Sequence, residues 1–184
     1  MKRVMKTSGW SLLAITMLLS SPLLVADKAY AADNLSFTGN LVVEACTIRP
    51  GDEALELELR DVSSRDLYLN IRTSGRVFEI HLEGCDTSIS DSVITTFSGV
   101  ESSELPGLLA LAAGSTAKGV AIGLETLTDN LLPLNVASDP QTLSDGDNAI
   151  GFKAYIRGEP KAIEQQTIIA GHYSAVSTFT LAYP

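Results

Sequence analysis

The chain has 184 residues, 13 basic against 22 acidic, a formal charge of −9 at pH 7 and 45% hydrophobic content. An acidic chain without a basic run lacks the electrostatic footprint of a protein that binds nucleic acid or an anionic membrane surface. With two cysteines and two histidines, it has few soft metal ligands to offer.

Residues 1–31 read as a cleaved signal peptide rather than as part of the fold. Lys2, Arg3 and Lys6 form a basic head, and Leu12 to Val25 an apolar run interrupted by Pro22. Ala29-Tyr30-Ala31 then places small residues where a signal peptidase reads them. The run is shorter than the roughly 20 apolar residues a membrane span needs. A retained anchor helix is the alternative. Lipidation at Cys46 is disfavoured, because that cysteine lies far beyond the apolar run and Glu44 stands two residues before it. Cleavage after Ala31 removes Lys2, Arg3, Lys6, Lys28, Asp27 and the single tryptophan, Trp10, and moves the formal charge from −9 to −12. The remainder is one domain by length, able to bury about two thirds of its unfolded surface.

Leu35, Phe37, Gly39, Leu41 and Val43 alternate with Ser36, Thr38, Asn40 and Val42. Period two of this kind is a strand with one apolar face. Cys46 and Cys85 make an even count in an exported chain, which predicts a structural disulfide. Closing a loop of that length stabilises a fold by roughly 4 kcal/mol in the chain-entropy treatment.

Between the cysteines the pattern is all β. Leu55, Leu57 and Leu59 alternate with Glu56 and Glu58, and Leu67, Leu69 and Ile71 repeat the alternation. Phe78, Ile80 and Leu82 share one face of a strand, with Glu79, His81 and Glu83 on the other. That row could be taken for a metal or proton-transfer site, but it reads better as the solvated side of a strand. Beyond Cys85, strands are predicted around Val93–Phe97, Val120–Leu124 and Ile150–Ile156. Leu105-Pro106-Gly107, Thr128-Asp129-Asn130, Ser138-Asp139-Pro140 and Ser144 to Asn148 are turns or loops by their chemistry. Leu108 to Ala113 is apolar but too short for periodicity to decide its type. Gly158-Glu159-Pro160 interrupts the chain before a loop.

From Gly171 to Pro184 the alternation is strongest. Tyr173, Ala175, Phe179, Leu181 and Tyr183 share one parity with Ser177, and His172, Ser174, Thr178 and Thr180 the other. A strand with an apolar face at this place in a sandwich is normally interior, and an open edge there must find a partner. Many short strands with frequent turns predict an antiparallel Greek-key sandwich.

Two stretches carry a resemblance. Asp33-Asn34-Leu35-Ser36-Phe37-Thr38-Gly39-Asn40-Leu41 followed by Cys46, together with Gly171, Tyr173 and penultimate Tyr183, resembles the minor pilins of the chaperone–usher pathway. The likeness is strongest to tip-fibre and adaptor subunits of P-type pili. It implies an all-β, incomplete immunoglobulin-like Greek-key sandwich lacking its final strand, completed by donor-strand addition. It also implies three segments: 1–31 the signal, 32–44 a donor-strand extension and 45–184 the pilin domain. Leu35, Phe37, Leu41 and Val43 would be the side chains inserted into a neighbour, with Gly39 where the backbones approach closely. Gly171, Tyr173, Ala175, Phe179, Leu181 and Tyr183 would form the groove strand that meets a periplasmic chaperone. An intact carboxylate at Pro184 would keep the chaperone's anchor. The implied partners are that chaperone, an outer-membrane usher and neighbouring pilins. The implied place is the fimbrium, reached through the periplasm.

Other classes are less well served. The chain has no Gly-x-Ser-x-Gly elbow and no phosphate-binding glycine loop, so no catalytic residue is predicted, and neither is a cofactor or a metal. A self-contained secreted β-sandwich binding domain remains an alternative. Within the pilin reading, so do a major rod subunit and, third, a terminating subunit.

Overall fold

The computed structural model describes residues 43–184. The predicted signal segment, and Leu35, Phe37, Gly39 and Leu41 of the predicted donor stretch, lie outside the described residues.

Alternation becomes a strand where the backbone finds a ladder. β1 (Thr47–Ile48), β2 (Arg76–Cys85), β4 (Val120–Thr126) and β6 (Gly146–Gly158) form an antiparallel sheet in the order β1-β2-β6-β4. β3 (Ser92–Gly99), β5 (Gln141–Thr142) and β7 (Ser177–Ala182) form a second, in the order β5-β3-β7. The first sheet turns Ile80, Leu82, Ile150 and Phe152 inward, and the second answers with Val93, Phe97 and Leu181 in the same apolar cluster. Three rings lock the centre: Phe97 meets Phe152 edge to face at 5.0 Å, and Phe78 lies 5.7 Å from Phe152 and 6.2 Å from Phe97. Aromatic pairs favour these tilted and edge-to-face arrangements. The predicted disulfide is present, joining Cys46 to Cys85 across the β1–β2 edge.

Four expectations need correction. Leu55, Leu57 and Leu59 form no strand, because among the described residues no backbone N–H of residues 55–62 finds a backbone acceptor. Extended backbone without a ladder is not a sheet. Leu67, Leu69 and Ile71 are not a strand either: the chain there is α1 (Ser64–Asn70), closed by Ile71. Ser63 caps it by accepting the Arg65 N–H, and only Leu67 is buried, while Leu69 and Ile71 are exposed. The loop after Gly158 holds a short helix, α2 (Pro160–Glu164), started by proline at its first position. Finally, the predicted loop from Ser144 to Asn148 is shorter than expected, since β6 already begins at Gly146.

The last strand is also shorter than its pattern. Alternating burial runs from Tyr173 to Tyr183, but the ladder with β3 begins only at Ser177. Before that, residues 112–116 serve as the partner. Ser174 accepts the Ala112 N–H at 2.8 Å and donates its own N–H to Ser115 Oγ at 3.0 Å. His172 accepts the Thr116 N–H at 2.8 Å and donates to Thr116 Oγ1 at 2.9 Å. Gly171 packs against Thr116 and the Ala117 nitrogen so closely that a Cβ would overlap them. The apolar segment of undecided type, Leu108 to Ala113, is extended: Leu109 bridges to Ile122 at the edge of the four-stranded sheet.

Candidate functional site

Side-chain parity places Tyr173, Ala175, Phe179, Leu181 and Tyr183 on the inner face of the terminal strand, all half-buried. β7 has a ladder on one side only, with β3, and no strand borders its other edge among the described residues. Opposite that edge runs the segment 53–59, whose backbone has no ladder either. The two unpaired edges face each other across an apolar groove of about 690 Å³.

The groove is built from every layer of the sandwich. Leu55, Leu57 and Leu59 form its far wall, and Ala175 and Phe179 its near wall. Phe78, Phe97, Ile122, Leu124 and Ala154 form the floor, which is the apolar core itself. At one end the Tyr173 hydroxyl donates to the Arg60 carbonyl at 3.2 Å, tying the two walls together. Burial holds the phenols of Tyr173 and Tyr183 above their ordinary values. Leaving this much apolar lining open costs the burial of several side chains, each worth roughly 1.5–3 kcal/mol when covered.

The far wall is fixed at its start. Asp52 accepts the His81 backbone N–H at 2.7 Å and lies 2.8 Å from His81 Nδ1, while Arg49 Nη2 stands 2.6 Å from the same ring nitrogen. The His81 backbone N–H, then the His81 side chain, hold the Asp52 carboxyl below the usual carboxylate range. The Glu79, His81, Glu83 face is therefore not simply solvated, because its histidine anchors the turn Asp52–Ala54 that leads into the wall. Among the described residues no group of three His, Cys, Asp or Glu is arranged to hold a metal ion.

The predicted groove residues thus divide by position. Ala175 and Phe179 line the cavity, whereas Leu181 and Tyr183 pack on the core further along. Tyr173 closes one end, and Gly171 lies outside the groove, exposed beside Thr116. Of the predicted donor residues only Val43 is described, and it is exposed. Sequence reasoning missed the far wall as part of the site. The signal was present in Leu55, Leu57 and Leu59, an apolar face with no predicted neighbour to cover it.

The family described as fimbrial protein matches residues 35–184. The Fimbria A protein of Serratia marcescens is 36% identical over 86% of this chain and 91% of its own length. The putative minor fimbrial subunit PmfF of Proteus mirabilis is 32% identical over 92% of this chain and 95% of its own. Among solved structures, the P pilus rod subunit PapA superposes with a TM-score of 0.65 at 20% identity, covering 77% of this chain and 100% of that one. That likeness carries the fold: an incomplete immunoglobulin-like sandwich.

Proposed function

This chain belongs to the fimbrial protein family, and from that premise we propose that it joins its fibre by strand addition at the groove beside β7. It is a structural subunit of a chaperone–usher fimbria, at the cell surface in association with other pilins. In our reading, the export signal 1–31 is removed and a periplasmic chaperone lends a strand to the groove. At the outer-membrane usher, the donor segment of another subunit replaces it, and this chain's own segment 32–44 enters the groove of a neighbour in turn. Leu35, Phe37, Leu41 and Val43 act as the inserted side chains and Gly39 as the point of close approach. Two unpaired edges facing each other over an exposed core are what support this most directly. A donor strand would complete both ladders at once and cover the floor, adding main-chain bonds to apolar burial. Within the fibre we assign an adaptor or tip-fibre place ahead of a major rod place, on the terminal sequence motifs; a putative minor and a major fimbrial subunit are each 32% identical to this chain.

The test is co-expression with a fimbrial chaperone. The wild-type chain should be recovered soluble in a complex and should aggregate without it. Phe179→Asp, which puts a charge on the near wall, should lose the complex by at least ten-fold, because a buried unpaired charge costs several kcal/mol. A wild-type chain that is soluble, monomeric and fully stable alone would count against strand addition.

A further inference from the structure

The groove is apolar within and acidic at its borders. Glu53 and Glu56 line its far wall, Glu58 stands exposed on the same segment, and no lysine or arginine lines it. Both ends carry a carboxylate as well. Asp61 follows Arg60, whose carbonyl accepts the Tyr173 hydroxyl, and Glu44 precedes Ala45, which belongs to the buried cluster that Tyr183 packs against. Two arginines adjoin lining residues in the chain: Arg60, after Leu59, has Asp61 next to it, and Arg49, after Ile48, lies 3.6 Å from Asp52.

The chain's own donor segment has the same sign. Residues 32–44 contain Asp33 and Glu44 and no lysine or arginine. These two acids flank the apolar stretch, one before Leu35 and one after Val43. Whichever way a strand runs through the groove, one flank lies towards the Glu44 end and the other towards Asp61. Pairing a copy of this chain with another copy therefore sets carboxylates against carboxylates at both ends. Exposed like charges about 4 Å apart cost about 1 kcal/mol in water, and salt screens them over about 10 Å at 0.1 M. Repulsion of this size does not prevent binding, but it decides between donors whose apolar side chains fit equally well.

We propose that the acidic border makes this groove select against its own donor segment, and that its occupant is the donor strand of a different subunit, with neutral or basic residues flanking the apolar stretch. The inference rests on the strand-addition reading, and it places the subunit at a junction between unlike neighbours rather than in a run of identical ones.

The experiment uses the full chain, refolded at low concentration with an excess of synthetic peptide. Three peptides of residues 32–44 are compared: wild type, Asp33→Asn with Glu44→Gln, and Asp33→Lys with Glu44→Lys. Incorporation is read by native mass spectrometry at low and high salt. At low salt the neutral peptide should enter about five-fold faster than wild type and the basic one faster again, with high salt closing the gap. In a chain carrying Glu44→Gln and Asp61→Asn the gap should narrow at low salt, which separates a property of the groove from one of the peptides. Equal, salt-independent incorporation of all three overturns the selection, as does a gap that persists unchanged in the groove variant. If no peptide enters under any condition, the strand-addition reading falls first and takes this inference with it.

Discussion

At the scale of single residues, the strongest electrostatic commitment lies on the outer face of the four-stranded sheet, away from the groove. Glu125 is 1% exposed, and Arg72 holds it with two N–H donors at 2.8 and 2.9 Å. The same guanidinium lies 3.8 Å above the Tyr155 ring, and the ring lies on Gly123, where any Cβ would overlap it. The alternation of Ile150 to Ile156 showed which side of the strand Tyr155 occupies. It could not show that Leu105 and Leu108 fold over that side and bury the tyrosine to 3% exposure. Periodicity reports the face a residue points to, and only tertiary structure reports what covers the face. The pair is asymmetric, because Arg72 has a 36% exposed side chain and Glu125 does not. Arg72→Ala strands a carboxylate in the interior and should destabilise the chain by about 3 kcal/mol. Glu125→Gln leaves a cation that can turn to water and should cost clearly less. Urea denaturation of the two variants decides it, and equal losses would refute the asymmetry.

At the scale of elements, the sequence was legible where a strand has partners and misleading where it has none. β2, β3, β4 and β6 lie where alternation placed them, because each meets a ladder and the shared core. The segment 55–59 has the same alternation and stays outside any sheet, since strand formation needs a neighbour that the described residues do not supply there. Leu67, Leu69 and Ile71 misled for another reason: three apolar residues at period two are a short sample, and the Ser63 cap outweighs them. The unladdered wall depends on its anchor. Asp52 is bound chiefly through the His81 backbone N–H, which depresses its pKa. A carboxyl depressed in the folded state stabilises the fold above its unfolded value, about 3.9, and loses that effect as pH falls through the folded value. Asp52→Asn should therefore lower the thermal midpoint at neutral pH, with the gap persisting to about pH 4 and closing below it. A gap that appears only in acid would reverse the sign and remove the anchor from the account.

At the scale of the whole molecule, the disulfide sits where the chain enters the sandwich. Cys46 lies two residues beyond the segment 32–44 proposed for strand donation, and Cys85, 39 residues further on, ends β2, a central strand of the larger sheet. β1 alone would be a poor attachment, since its ladder with β2 spans only Thr47↔Glu83 and Ile48↔Leu82. In a fibre built by strand addition, tension arriving along residues 32–44 meets the covalent bond before it meets that ladder. The bridge thus passes load into β2 and through it to β6, whose register with β2 runs from Arg76↔Ala154 to Leu82↔Asn148. Replacing both cysteines, Cys46→Ser with Cys85→Ser, should cost about 2–5 kcal/mol at equilibrium. The mechanical effect should be more specific. Pulled from residue 32 against residue 184, the variant should first lengthen by the release of β1 at low force, a step missing from the oxidised protein. If both proteins extend in the same steps at the same force, the disulfide stabilises the fold without carrying its load.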